Sequence, residues 1–239
     1  MDRNQTTSNS GVLLWDIDGT LVCVKRKDSS SPHKNVLNNH GILSNDSEMR
    51  LSGRTDFEIF LELTKGISGY FDKSIFLPAF EDLDKESSRL DKLSTFDLLP
   101  GVVDMLNCLA SRGWKHGVLT GNTLNRLKAK IEKSGIANFF IEEYLFGCEF
   151  GDSREKIASK AQQYLTEKGQ SKVFILGDTP YDIIAARSAH FSVISVATGD
   201  FSVQELSRHN PDLIVRDLFL DADVVIKYLE EETLEINQS

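Results

Sequence analysis

The chain has 239 residues, of which 40% are hydrophobic and 26% are charged, and its formal net charge is −9 at pH 7. This composition excludes a disordered or collagen-like chain, and the length allows one large domain or a core domain with a smaller inserted one. An acidic chain offers no broad basic surface to a phosphate backbone, so we expect no nucleic acid partner. An anionic ligand would need local cations or a bound metal to hold it against the overall field.

Cysteine usage and the first residues indicate the environment of the protein. Cys23, Cys108 and Cys148 are far apart and form no Cys-x-x-Cys pair, so we expect three buried thiols in a reducing compartment. Residues 1–10 are polar and lack the apolar core of a signal peptide, which predicts a flexible tail. Since no apolar run approaches the ~18 residues of a membrane span, we expect a soluble, cytoplasmic protein with no membrane partner.

The first part of the chain contains one predicted strand and then a long helical insert. Residues 12–15 are continuously apolar, as in a strand with both faces covered. Residues 25–48 are rich in Ser, Asn, Lys and Asp, which favours a linker or an elaborated loop. Between residues 54 and 93 apolar residues recur at helical spacing, so this insert should be entirely helical. Pro78 fits best in the first turn or two of its second helix.

After Pro100 and Gly101 the pattern changes to an alternation of strands and helices. Predicted strands cover residues 117–120, 173–176, 192–197 and 212–215. Helical segments separate them, and one more follows the last strand. This alternation predicts an α/β fold with a doubly wound parallel sheet and helices on both faces. From about residue 230 the chain is acidic, which predicts a solvated tail.

Polar side chains follow the strand ends at three places in the chain. Asp16 and Asp18 come directly after the first strand, Thr120 closes the second, and Asp178 follows the third with Asp182 four residues later. The carboxyl ends of parallel strands lie at one edge of the sheet, where ligands bind. Carboxylates packed together repel unless a cation joins them, and Mg²⁺ prefers oxygen ligands. The sequence therefore predicts a magnesium site at this edge.

Four segments resemble, in order and spacing, the motifs of the haloacid dehalogenase-like hydrolase superfamily in its phosphatase branch. They are WDIDGTLV at 15–22, VLTGN at 118–122, SREK at 153–156 and ILGDTPYD at 175–182. The helical insert resembles the cap of the beta-phosphoglucomutase and phosphoglycolate phosphatase group. The resemblance implies a Rossmann-like α/β core with an inserted α-helical cap domain. The corresponding ranges are 11–24 and 97–231 for the core, 25–96 for the cap, and 1–10 and 232–239 for flexible tails.

The resemblance also implies an activity and assigns roles to the first two motifs. It implies a Mg²⁺-dependent phosphatase that hydrolyses a small phosphorylated metabolite through an aspartyl-phosphate. Asp16 would be the nucleophile, and Asp18 the general acid and then the general base. Thr120, with the backbone amides of Gly121 and Asn122, would bind the transferring phosphoryl group.

The remaining motifs would supply a cation and metal ligands. Arg154 matches the basic third motif better than Lys156, and it would neutralise the nucleophile together with the phosphate. Arg54, between Gly53 and Thr55 before the first cap helix, would bind the substrate. The implied metal ligands are Asp16, Asp18, Asp178 and Asp182.

Other functions share this sequence pattern. A phosphomutase of the beta-phosphoglucomutase kind uses the same aspartyl-phosphate, and no residue separates it decisively from a phosphatase. A haloacid dehalogenase is disfavoured because it needs no metal. A phosphonatase is disfavoured because that group replaces the second aspartate of the first motif. A non-catalytic binding module on the same fold is the alternative from another class, and the chain could be a monomer or a homodimer.

Overall fold

The computed structural model describes residues 10–25, 31–45, 50–65, 73–92 and 94–236. The predicted N-terminal tail lies outside this range except for its last residue. The strands are β1 Gly11–Trp15, β2 Val22–Lys25, β3 Thr95–Leu98, β4 Trp114–Leu119, β5 Phe140–Phe146, β6 Val173–Gly177, β7 Ser192–Val196 and β8 Leu213–Val215. The helices are α1 Pro32–Asn39, α2 Asp56–Thr64, α3 Lys73–Asp91, α4 Val102–Ser111, α5 Leu124–Lys133, α6 Arg154–Glu167, α7 Pro180–Ser188, α8 Val203–Ser207 and α9 Ala222–Ile236.

The main sheet is parallel and has the strand order β5-β4-β1-β6-β7-β8. Every residue of the central strand β1 is buried, and its side chains alternate between two hydrophobic clusters. Helices α4, α5 and α9 contribute to one cluster, and α6, α7 and α8 contribute to the other. Both faces of the sheet are therefore covered, which confirms the predicted doubly wound α/β fold and explains the continuous apolar run of β1.

Three strands were absent from the sequence-based prediction. Strand β5 lies at the edge of the sheet, and its exposed Glu142 and Glu143 interrupt the apolar pattern. Strands β2 and β3 form a separate antiparallel pair whose residues are mostly half-buried or exposed. Edge strands and two-stranded ribbons bury too little surface to carry a strong hydrophobic signal.

Helices α1, α2 and α3 have a small core of their own. It consists of Val36, Leu37, Ile59, Phe60, Leu63, Ala79 and Leu83. Pro78 is the sixth residue of α3, within its first two turns as predicted. No strand occurs in the described part of residues 54–93, in agreement with the predicted helical insert. The division into a core and a cap at residues 25 and 96 stays a prediction, and the β2–β3 pair spans both of these boundaries.

Two predicted irregular segments are helical instead. The loop predicted at residues 25–48 contains α1, which Ser31 caps and Pro32 begins. Most residues of α1 are polar, so its two buried apolar residues, Val36 and Leu37, did not produce a recognisable helical pattern in the sequence. The tail predicted from residue 230 lies within α9, which continues to Ile236. Leu229 is fully buried and holds this helix against the sheet, and the glutamates that follow it are good helix formers.

The three cysteines are free thiols, but the prediction that all are buried is wrong. Cys23 is exposed on β2, and Cys108 and Cys148 are half-buried. Within the described residues, no helix combines the length and the apolar character that crossing a bilayer requires.

Candidate active site

A cavity of about 600 Å³ lies where the carboxyl ends of β1, β4 and β6 meet the segment before α2. Its charged and polar lining includes Asp16, Asp18, His33, Arg54, Asp56, Thr120, Asn122, Arg126, Lys130, Arg154, Asp178 and Asp200. Apolar residues such as Val24, Ile59 and Leu99 line the rest. The volume is that of a site for a small molecule.

Three carboxylates meet at the sheet edge. Asp16 follows β1, Asp178 follows β6, and Asp182 lies in the first turn of α7. Each is buried, and each offers one oxygen that lies within 4.8 Å of the other two. Helix α7 begins at Pro180, shortly after β6 ends, so Asp178 and Asp182 both lie at this edge of the sheet. The structure thus brings together three of the four predicted metal ligands.

Arg154 stands against this acidic group. Its side chain is 1% exposed, Nη1 donates to Oδ1 of Asp16 at 3.0 Å, and Nη2 contacts Oδ1 of Asp182. Ser153 caps α6, so Arg154 takes the first helical position. Lys156, the alternative cation of the third motif, has a largely exposed side chain and pairs with Asp152 at 2.7 Å. The geometry therefore favours Arg154 over Lys156.

Burial and mutual repulsion raise the pKa values of two carboxylates in the acidic group. The pKa of Asp16 is raised to about 6, mainly by burial and also by the carboxylates of Asp182 and Asp18, although Arg154 lowers it. Burial, Asp16 and Asp182 together raise the pKa of Asp178 well above its ordinary value. Thr20 donates to Oδ1 of Asp178 at 3.0 Å, a contact that the sequence did not indicate.

Asp18 lies outside this three-carboxylate group, and its role as a metal ligand stays a prediction. Its Oδ2 accepts from Asn122 Nδ2 at 2.9 Å and from Lys130 Nζ at 2.5 Å. The backbone turns at the next residue, Gly19, whose φ is +84°, and Asp18 lines the cavity. Its side chain is 45% exposed, against 5% for Asp16. Burial raises the pKa of Asp18, but the Lys130 ammonium and both hydrogen bonds lower it more.

The second motif connects the sheet edge with α2. Thr120 is buried after β4, and its Oγ1 accepts from Asn122 Nδ2 at 2.8 Å. The Gly121 carbonyl accepts from the Asp56 amide at 2.9 Å. A Cβ at Gly121 would lie 2.3 Å from the carbonyl oxygen of Arg54, so only glycine fits this close approach. The predicted phosphate-binding residues therefore lie beside the start of α2.

Arg54 lines the cavity as predicted. Its guanidinium lies over the ring of Tyr181, 5.5 Å from the centroid. Its Nε is buried and has no hydrogen-bond partner in the part of the chain that the structure describes. A planar donor group that lacks an acceptor in a cavity is suited to an anionic ligand.

Sequence reasoning missed a second charged group around Asp56. This carboxylate accepts from the Thr123 amide at 3.0 Å, from His33 Nε2 at 2.9 Å and from Arg126. Burial raises the pKa of Asp56, but Arg126 and then His33 hold it well below its ordinary value. One feature of the sequence could have indicated Arg126, although not its partners. Arg126, like Lys130 one turn later, flanks the buried apolar stripe of an amphipathic helix, where a cation is uncommon.

Comparison with known proteins agrees with this fold. The family model described as a haloacid dehalogenase-like hydrolase matches residues 11–190. The pyrophosphatase PpaX of Bacillus pumilus is 21% identical over 90% of this chain and 95% of its own. A phosphoglycolate phosphatase of Vibrio vulnificus is 26% identical over 62% of this chain and 63% of its own.

The fold has close counterparts among solved structures. A predicted phosphoglycolate phosphatase of Haemophilus somnus superposes with a TM-score of 0.68 at 20% identity, over 92% of this chain and 99% of that one. At this identity the likeness shows the fold alone, whereas the family model covers most of the chain. The chain therefore belongs to the haloacid dehalogenase-like hydrolase family.

Proposed function

We propose that this protein is a Mg²⁺-dependent phosphatase that hydrolyses a small phosphorylated metabolite through an aspartyl-phosphate on Asp16. One observation carries the proposal: Asp16 stands at the edge of the cavity, with Arg154 on one side and Asp178 on the other. A carboxylate between a fixed cation and further carboxylates is suited to attack a phosphoryl group. The names of the relatives from Bacillus pumilus and Vibrio vulnificus support this class of reaction.

The acidic group fits a magnesium ion. Its donors are all carboxylate oxygens, they are buried, and they are close enough to share one hard cation. Asp16 and Asp178 are the principal ligands that we propose. Both oxygens of Asp182 already have partners, in Arg154 and in the backbone and hydroxyl groups of Thr179, so Asp182 would serve as a third ligand or hold waters. When bound, the metal supplies positive charge that lowers the repulsion between Asp16 and a phosphate dianion.

The protein side chains would carry the reaction in two steps. In the first, a carboxylate oxygen of Asp16 bonds to phosphorus while the bond to the leaving oxygen breaks, and Asp18 gives that oxygen its proton. In the second, Asp18 takes a proton from water, whose oxygen bonds to phosphorus and releases Asp16 and inorganic phosphate. Arg154 and Thr120 would donate to the phosphoryl oxygens in both steps.

The test is hydrolysis of p-nitrophenyl phosphate with Mg²⁺ and with EDTA. We expect activity only with the metal, and a loss of at least about 1000-fold in kcat for Asp16→Asn. Asp97→Asn, at an exposed ion pair with Lys25 on the β2–β3 ribbon, is the matched control and should keep wild-type activity. Equal rates for Asp16→Asn and wild type would disprove the mechanism.

The same assay separates a phosphatase from a mutase. A phosphatase releases inorganic phosphate from simple monoesters at a rate comparable with that on its preferred substrates. A mutase of the beta-phosphoglucomutase kind returns the phosphoryl group to a sugar and releases little. A screen of phosphorylated metabolites for phosphate release would then identify the substrate.

A further inference from the structure

Lys130 is a buried cation at the cavity that the proposed function leaves unused. It lies on α5 with 4% of its surface exposed, one turn after Arg126. Burying an ammonium group costs several kcal/mol unless an ion pair and hydrogen bonds satisfy it. Methionine would fill the same space with no such cost, so packing alone does not explain the charge.

The contacts of Lys130 form a closed ring with Asp18 and Asn122. Its Nζ contacts Oδ2 of Asp18 and donates to Oδ1 of Asn122 at 3.0 Å. Because an ammonium can only donate, it fixes the oxygen of the Asn122 amide toward itself. The NH₂ group of Asn122 is thereby directed to Oδ2 of Asp18 at 2.9 Å and to Oγ1 of Thr120 at 2.8 Å. One buried cation thus orients two of the predicted site residues.

The ring anchors only one oxygen of Asp18. Oδ2 receives both donors, whereas Oδ1 accepts no hydrogen bond from the residues that the structure describes. We propose that Lys130 is a positioning residue, which fixes Asp18 by Oδ2 so that Oδ1 exchanges the proton with the leaving group and then with water. Lys130 keeps its own proton throughout. The inference rests on the proposed function, because it requires Asp18 to be the general acid.

Leaving-group dependence tests this role. Glycerol 2-phosphate has an alkoxide leaving group that needs a proton, whereas p-nitrophenolate leaves without one. We expect Lys130→Met to lower kcat on glycerol 2-phosphate about 100-fold and on p-nitrophenyl phosphate less than about 10-fold, with little change in KM. An equal loss on both substrates, or a rise in KM alone, would overturn the inference.

A double mutant separates positioning from a structural role. If Lys130 acts only through Asp18, Lys130→Met should cause no further loss in an Asp18→Asn background. Additive losses would contradict the inference. Lys128→Met, an exposed residue of the same helix paired with Glu142 at 2.7 Å, is the control and should match wild type.

Two further outcomes keep the test decisive. If the methionine variant does not fold, as judged by far-UV circular dichroism, Lys130→Gln replaces it, because glutamine lacks the charge and carries the same prediction. If wild type hydrolyses neither ester while Asp16→Asn is equally inactive, the proposed function itself fails. If wild type is active and only the leaving-group difference is missing, the role of Lys130 alone is wrong.

Discussion

His116 is a buried imidazole whose two contacts define its protonation. It is 2% exposed on β4, where Trp15 Nε1 donates to Nδ1 at 3.0 Å and Nε2 faces the carbonyl oxygen of Leu106 at 3.1 Å. An indole N–H can only donate and a carbonyl can only accept, so the ring is neutral with its proton on Nε2. A second proton on Nδ1 would face the indole N–H, which makes folding dependent on pH.

The size of this effect follows from the pKa of His116. Burial lowers it from 6.5 to about 4 in the folded protein, although the hydrogen bond to Leu106 raises it slightly. At a pH between these two pKa values the unfolded chain binds a proton at His116 that the folded chain does not. The contribution of His116 to stability is therefore complete above about pH 7 and is lost on acidification. The loss is about 2 kcal/mol at pH 5 and approaches about 3 kcal/mol at lower pH.

Urea unfolding of wild type and His116→Gln at several pH values measures this contribution. Glutamine can accept from Trp15 or donate to Leu106 but does not titrate, so other ionisable groups contribute equally to both curves. We expect the wild type to lose about 2 kcal/mol more than the variant between about pH 7.5 and pH 5. Parallel stability curves for the two proteins would refute the reasoning, because they would show that burial does not hold His116 neutral.

Three further predictions concern the site and the backbone. Arg154→Met should lower kcat on p-nitrophenyl phosphate at least about 100-fold, whereas Lys156→Met on the same helical turn should not change it. Asp56→Asn should lower the free energy of unfolding in urea by about 3 kcal/mol because it leaves a buried cation unpaired, whereas Asp82→Asn, at a half-exposed ion pair, should lower it far less. His190 has φ +56°, so His190→Gly should raise the free energy of unfolding by about 1 kcal/mol and with it the thermal midpoint, and a lower midpoint would contradict the strain argument.

The sheet and its acidic edge follow from sequence because each depends on local pattern. The apolar run of β1 and the acidic residues directly after β1 and β6 need only the rule that parallel strands end at one edge. Asp16 and Asp178 are predictable for this reason. Helix α1 and strand β5 are not, since α1 presents a mainly polar surface and β5 is an edge strand with only half of its length buried.

The second charged group was beyond sequence reasoning for a different reason. His33, Asp56 and Arg126 come from three helices, and their spacing along the chain follows no motif. They become neighbours only because α1 packs on α2 and the start of α2 meets α5. A single sequence shows which residues could be charged and buried, but not which distant partner neutralises each of them.

The two aspartates of the first motif show why a strand pattern does not by itself assign roles. Side chains two residues apart on a strand point the same way, which predicts one shared ligand for Asp16 and Asp18. The turn at Gly19 ends this regularity, and the carboxylates meet different cations, Arg154 from α6 and Lys130 from α5. Because those helices follow different strands, each carboxylate is held independently of the other. The proposed mechanism needs this separation, since carboxylates that shared one proton could not serve as nucleophile and proton donor at once.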